Sequence, residues 1–274
     1  MEATLLRFVR SPFGTIAGTA ALSLSLALAA APAAQAQGGI VLIGDSSSAL
    51  SLVASAPHVH PDMSMADGNA TFYQRLVSAG DQIGFFAWVT NGAIHTEMRQ
   101  FYGDLLGHTT REVMTADASG LNGLDVFISA VPYRDFSLAE QQALQTFVNG
   151  GGTLMLLGDY EDGINYTHAA GNRRINQLLN FMGSPLQLAR DMHDPGPQRG
   201  TGAQIGSTSF TAGVTAFDYG AASGVIGGTP QFFTRDGTPF VTLTLTAPVP
   251  EPQTWALWMA GMVGLGAVAR RRRG

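Results

Sequence analysis

The 274-residue chain has no cysteine, and because all 15 of its basic side chains are arginine it has no lysine either. Without Cys there is no thiol nucleophile, no disulfide and no thiolate metal site. Without Lys there is no phosphate-loop lysine, no Schiff base and no kinase-type ion pair. Charge is scarce as well, at 13% of residues with a formal net charge of -5. The arginines outside the two ends form no basic stripe, which argues against a nucleic-acid partner. What the chain does have is glycine (34 residues) and a 45% apolar share. At this length that is enough for one domain of roughly 200 residues with a sizeable core, plus processing segments.

Those segments are written at the ends. Arg7 and Arg10 precede an apolar run from about Phe13 to Ala31, which closes on small residues and Ala34-Gln35-Ala36. A positive start, an apolar centre and an A-x-A site predict a signal peptide over residues 1–36, handled by the Sec machinery and a signal peptidase. The alternative is a retained membrane anchor. At the other end Val249-Pro250-Glu251-Pro252 leads into an apolar stretch from Trp255 to Ala269 and then Arg270, Arg271, Arg272 and Arg273. Fifteen or so helical residues at about 1.5 Å each fall short of a hydrocarbon core of about 30 Å, so a transmembrane helix here is marginal. The arginines would hold the C-terminus in the cytoplasm and leave the preceding domain outside, with Trp255 and Trp258 at interfacial positions.

Motif, short helix and terminal Arg cluster, in that order, resemble the PEP-CTERM sorting signal of Gram-negative bacteria, with Pro250, Glu251 and Pro252 matching the motif residue by residue. The resemblance covers residues 248–274. It implies recognition by an exosortase, a brief stay in the inner membrane, delivery to the cell envelope or extracellular space, and a link to extracellular polysaccharide. An ordinary membrane anchor with a coincidental Pro-Glu-Pro is the plainer alternative, since proline stiffens any linker.

Between the ends, residues 37–247 carry about 18 acidic against 9 basic groups once Glu2, Glu251 and the terminal arginines are set aside. Such an exported domain would meet an acidic polymer only through a bridging cation. Strand-like runs at Ile40 to Ile43, Ile83 to Val89, Asp125 to Val131 and Thr153 to Leu157 alternate with helical spacings. The helical sets are Phe72, Tyr73, Leu76, Val77; then Met98, Phe101, Tyr102, Leu105 before Gly107; then Leu144, Phe147, Val148 behind a Ser137-x-x-Glu140 capping box; then Ile175, Leu178, Leu179, Met182. This order predicts an α/β fold, a mostly parallel sheet with helices on both faces, in a flavodoxin-like or amidotransferase-like arrangement. From about Asp191 to Thr246 the chain is rich in Gly and Thr, and it is expected to form loops and late strands of the same domain, such as Phe240 to Leu245.

Asp125-Val126-Phe127-Ile128, Phe136 to Glu140, Phe147 to Leu154 with its Gly-Gly turn, and Phe210 to Val214 together resemble non-catalytic members of the class I glutamine amidotransferase-like superfamily. Catalytic members carry a Cys nucleophile after the strand that ends here at Leu157. This chain has Gly158-Asp159-Tyr160 instead, so the amidotransferase chemistry does not carry over.

Ligands of parallel sheets bind beyond the carboxyl ends of the strands. Three constellations fall there or nearby. Asp159, Glu161 and Asp162 in one turn could supply oxygen ligands to a divalent cation, or simply form a solvated acidic loop. Gly44-Asp45-Ser46 is reminiscent of the nucleophile block of GDSL-type esterases, with Asp191-Met192-His193 one residue short of their D-x-x-H pair; the alternative is a polar turn. His58, His60 and Asp62 alternate, so an extended backbone would aim all three the same way toward a metal, the alternative being surface histidines. Asn69-Ala70-Thr71 and Asn165-Tyr166-Thr167 fit the N-glycosylation pattern but carry little weight in a bacterium. The expectation is an exported binding or structural module without catalytic residues or a required cofactor. Its rival is a hydrolase, either a serine esterase using Ser46, Asp45 and His193 or a metal-dependent enzyme.

Overall fold

The computed structural model describes residues 38–51, 68–90 and 92–245. The expected signal peptide, the His58, His60, Asp62 set, the Pro250-Glu251-Pro252 motif and Arg270 to Arg273 lie outside the described residues. Among the described residues eleven strands run in chain order: β1 (Gly39–Ile43), β2 (Gln82–Phe86), β3 (Thr109–Val113), β4 (Val126–Ala130), β5 (Thr153–Leu157), β6 (Gln187–Leu188), β7 (Gln198–Thr201), β8 (Ala216–Tyr219), β9 (Val225–Ile226), β10 (Thr229–Phe233) and β11 (Pro239–Leu245). The α-helices are α1 (Asn69–Arg75), α2 (Gly92–Arg99), α3 (Ala118–Leu121), α4 (Leu138–Asn149) and α5 (Tyr166–Phe181).

Seven strands form one sheet in the order β10-β11-β1-β5-β4-β2-β3. The five from β1 to β3 in that order are parallel, while β11 and β10 add an antiparallel edge. The sheet is therefore mixed but mostly parallel, as the alternation of apolar runs predicts. β1, β4 and β5 are buried at every position. That is the environment in which continuous rather than alternating apolar runs make strands.

The period of two then sorts side chains to two cores. Val41, Ile43, Ile83, Phe85, Val126, Ile128, Met155 and Leu157 share one core with Phe72 and Tyr73 of α1 and Ile94 and Met98 of α2. Ile40, Leu42, Phe127, Leu154 and Leu156 share the other with Leu144 and Val148 of α4 and Ile175, Leu178 and Leu179 of α5. Late-chain aromatics complete the first core. Phe217 stacks on Phe232 at 3.8 Å, and Phe72 meets Phe232 edge-on at 4.9 Å. Residues after Asp191 thus contribute strands to the same sheet and aromatics to the same core.

Two elements depart from the sequence pattern. The helix carrying Met98, Phe101, Tyr102 and Leu105 becomes a π-helix over Gln100–Leu105. The wider turn rotates its last residue off the apolar stripe, so Met98, Phe101 and Tyr102 are buried while Leu105 is 60% exposed. Gly107 then closes the segment at φ 75°, its N–H donating to the Gly103 carbonyl at 3.0 Å. Strand β3 has no apolar run to announce it, because it is an edge strand with only Val113 buried. Its exposed Arg111 and Glu112 are the charged residues that keep a free edge from pairing further.

The capping box is present as read. The Ser137 hydroxyl accepts from the Glu140 N–H, and the Glu140 carboxylate accepts from the Ser137 N–H. Glu140 does more, accepting from the Ala116 N–H at 2.9 Å and from both terminal nitrogens of Arg134 at 2.6 and 2.8 Å. At the opposite end of the sheet, Gly39 of β1 lies directly across from Leu245 of β11. Among the described residues no helix is long and apolar enough to cross a membrane.

Candidate functional site

The carboxyl ends of β1 and β5 are neighbours in the sheet, and each is followed by Gly-Asp: Gly44-Asp45 and Gly158-Asp159. Adjacency places two buried carboxyl groups together where a parallel sheet holds ligands. Asp45 opens a 3₁₀ helix over Ser46–Ser51. One of its oxygens accepts from the Ser47 N–H at 2.9 Å, and the other from the Gly220 N–H at 2.7 Å. Asp159 accepts from the Ser46 hydroxyl and from the Tyr160 N–H at 2.9 Å. Its own backbone is fixed by the fully buried Asn172, whose carbonyl accepts from the Asp159 N–H at 3.0 Å and whose amide donates back to the Asp159 carbonyl.

Burial raises both carboxyls, Asp45 and Asp159, to about 7, and the charge of Asp159 adds to the effect on Asp45. The two carboxyls therefore titrate together rather than independently. His168, on the first turns of α5, brings its Nδ1 to 3.5 Å from Asp159. Its ring meets Tyr160 edge-on at 4.9 Å, and burial holds it below its ordinary value. The esterase alternative would need His193 beside Ser46, but the described contacts place His168 near Asp159 instead. The carboxylate stands between Ser46 and the imidazole, whereas a serine nucleophile needs the imidazole between serine and carboxylate.

His193 is engaged elsewhere. Its Nε2 lies 3.0 Å from Asp191 and its Nδ1 2.8 Å from Asp236, so both ring nitrogens face carboxylates. These bonds outweigh the effect of burial and raise His193 above its ordinary value. Asp159, Glu161 and Asp162 likewise do not converge. Asp159 points to Ser46, Glu161 pairs with Arg190 at 3.1 Å, and Asp162 accepts from the Ile164 and Asn165 N–H groups at 2.8 Å ahead of α5. Those amide bonds lower Asp162. Among the described residues no three His, Asp or Glu side chains are grouped so as to hold a metal ion.

The two sequons are structural as well. Asn69 is buried and bonds to the Ser48 and Asp218 carbonyls at 2.9 and 2.7 Å. Asn165 caps α5, accepting from the Thr167 and His168 N–H groups. A groove of about 760 Å³ between α3 and α4 is lined by Leu121, Ala139, Ala143 and Phe147; among the described residues Asp117 is the one titratable group that lines it, and Asp117 is spent on capping α3.

Two features of this edge had no sequence signal. Val131, just past β4, has φ 40°, a left-handed conformation rare for a β-branched residue. Its N–H donates to the Leu157 carbonyl at 2.7 Å and its carbonyl accepts from Thr90, which fix it in place. The second is the close seat of residues 220–224 on β1. The Ser223 N–H donates to the Gly44 carbonyl at 2.9 Å. A Cβ at Gly44 would lie 1.9 Å from the Ser223 carbonyl oxygen, so only glycine permits the approach.

Set beside known proteins, the chain matches the family model described as the PEP-CTERM protein-sorting motif over residues 248–273. The chain therefore carries that sorting motif at its C-terminal end, and the motif implies exosortase processing and export to the cell envelope. No curated protein matches the chain. Among solved structures it is similar to the mmIFT52 N-terminal domain, with 15% identity, a TM-score of 0.40, and coverage of 61% of this chain and 86% of that one. It is also similar to aspartate aminotransferase from Trypanosoma cruzi, with 11% identity, a TM-score of 0.30, and coverage of 62% and 44%. Likeness at this level carries no argument about the ectodomain, and the amidotransferase resemblance gains no support from it.

Proposed function

We propose that the chain is an exported envelope or extracellular protein in three parts: a cleaved signal peptide over residues 1–36, a folded domain over 37–247, and a sorting tail over 248–274. In this reading an exosortase recognises Pro250, Glu251 and Pro252 while the apolar stretch that follows rests briefly in the inner membrane, with Arg270 to Arg273 on its cytoplasmic side. The match of the sorting-motif family to residues 248–273 carries the proposal.

The exported domain then serves as a binding or structural module outside the cell rather than as a hydrolase. Two observations support this. The Ser46 hydroxyl is committed to the Asp159 carboxylate, and His193 is committed to Asp191 and Asp236, so neither pairs with the other as nucleophile and base. Mass spectrometry of the mature protein from fractionated cells tests the sorting reading. Ends near Gln37 and Pro250 are expected, and removal of Arg270 to Arg273 should change both mass and destination. Intact ends at Met1 and Gly274 would overturn it. Ester hydrolysis by the purified domain that disappears in Ser46→Ala would displace the binding-module reading.

A further inference from the structure

The segment from Arg190 to Asp194 is tied to both loops that hold the buried carboxyl pair. On the β5 side, the Asp191 carbonyl accepts from the Glu161 N–H at 2.9 Å, and the Arg190 guanidinium bonds the Glu161 carboxylate at 3.1 Å. On the β1 side, the Asp191 carboxylate accepts from the Gly224 N–H at 2.8 Å and the Ser223 hydroxyl at 3.2 Å, while His193 and Ala222 exchange backbone bonds at 2.8 and 3.1 Å. Residues 220–224 in turn sit on Gly44 and on the Asp45 carboxylate. The ends of the segment are strained, since Arg190 and Asp194 have φ of 64° and 48° without being glycine. Contacts made by its middle hold it down.

Within the segment itself, His193 is the group whose bonding depends on its proton count near neutrality. With a carboxylate 2.8 to 3.0 Å from each ring nitrogen, both bonds need an N–H donor. Only the imidazolium has two; the neutral ring turns a lone pair toward one of the carboxylates. The charged and titratable groups around it are Asp191 on its own segment, Asp236 on the β10–β11 turn, Glu161 and Arg190 on the β5 side, and Asp194 with Tyr219 and Arg235. Asp194 is fastened separately, accepting from the Tyr219 hydroxyl at 2.6 Å and the Arg235 N–H at 2.7 Å.

We propose that Arg190–Asp194 is a strap across the Ser46–Asp159–Asp45 centre, latched by protonated His193 between Asp191 and Asp236 and loosened when the imidazole becomes neutral. The strap is shut in mildly acidic surroundings and opens as the pH rises. The bonds to Asp191 and Asp236 raise His193, so the latch persists somewhat above the pH at which a free imidazole discharges. Opening leaves the parallel sheet intact, since the strap belongs to none of its strands. It uncovers side chains that are otherwise 0–6% exposed. This inference is independent of the sorting reading.

The absence of native cysteine makes a direct test available, because Ser46→Cys introduces a single thiol beneath the strap. Its rate of alkylation by iodoacetamide at one fixed pH near 7 is compared with the rates in S46C/H193Q and S46C/D236N. At least a tenfold acceleration in both double variants is expected, with circular dichroism unchanged. Equal rates in all three proteins would overturn the proposal. Hydrogen exchange of the unmodified protein keeps the question decidable should the variants not fold. The His193, Ala222 and Ser223 amides should lose at least tenfold in protection between pH 5.5 and 8.5 after correction for intrinsic exchange, while β4 and β5 amides lose less. Protection at those three amides that stays constant over this range would also overturn it.

Discussion

Replacing Asp159 by asparagine probes the carboxyl pair most directly. Burial lifts the Asp159 carboxyl from 3.8 to about 7. Between those values the folded protein holds a proton that the unfolded chain has already released, so stability falls as pH rises through the window and levels off above it. At 1.36 kcal/mol per unit the full loss is about 4 kcal/mol, of which about 3 falls between pH 5 and 8. Asparagine keeps the geometry. Its carbonyl can accept from the Tyr160 N–H as the carboxylate does, and its amide can face Ser46, whose hydroxyl then accepts. Removing that charge also lets Asp45 ionise more easily, since Asp159 is one of the causes that raise it. Urea unfolding at pH 5, 6, 7 and 8 should show D159N gaining about 3 kcal/mol on the wild type across the series. A gap that stays constant with pH, or one that widens in favour of the wild type, would refute the claim that two carboxyls are buried here without a counter-charge.

Other substitutions probe the frame around the site. Glu140→Ala removes the acceptor for two backbone N–H groups and for Arg134, and thermal or urea unfolding at pH 7 should register a loss of about 2–4 kcal/mol. Burial opposes ionisation of Glu140, but its bonds to Arg134 and to amides win and hold it down to about 2. Its contribution is therefore fully present at neutral pH and fades as the pH falls from about 4 toward 2, where E140A and wild type should converge. Asn172→Ala leaves the Asp159 N–H and carbonyl without their partner and should cost about 2–3 kcal/mol in the same assay. Gly44→Ala drives a methyl into the Ser223 carbonyl and should cost about 1–3 kcal/mol, with exchange at the Ser223 amide rising more than exchange in β4.

The parts of the fold legible in the sequence are those whose burial is complete. β1, β4 and β5 are apolar at nearly every position because both faces of the sheet are covered, and α4 is announced by its capping box. β3 is hidden because an edge strand buries only Val113. The register shift at Gln100–Leu105 is hidden because a π-turn has no compositional mark. β6 to β9 are short pieces of two to four residues, stabilised by contacts distant in sequence rather than by any local pattern. The site divides the same way. Asp45, Ser46 and Asp159 each stand out as polar residues after an apolar strand. Their meeting depends on β1 lying beside β5, across 113 residues of chain between Ser46 and Asp159. The Asp236 partner of His193 lies 43 residues away, and the position of His168 one helical turn into α5 has no motif attached to it.

The pairing of Gly39 with Leu245 sets where the domain's two chain ends emerge. Opposed residues on neighbouring antiparallel strands are about 5 Å apart, so a bridge of a few residues would join them. The domain is thus a natural substrate for circular permutation, with new ends cut in an exposed turn on the same rim, such as that at Ala79–Gly80 ahead of β2. It could also be spliced as a cassette into a host loop without prying the host open. In either setting the covalent attachment falls on the amino-terminal rim of the parallel strands, and the opposite rim, with its paired acids and clasped histidine, stays free of grafted chain.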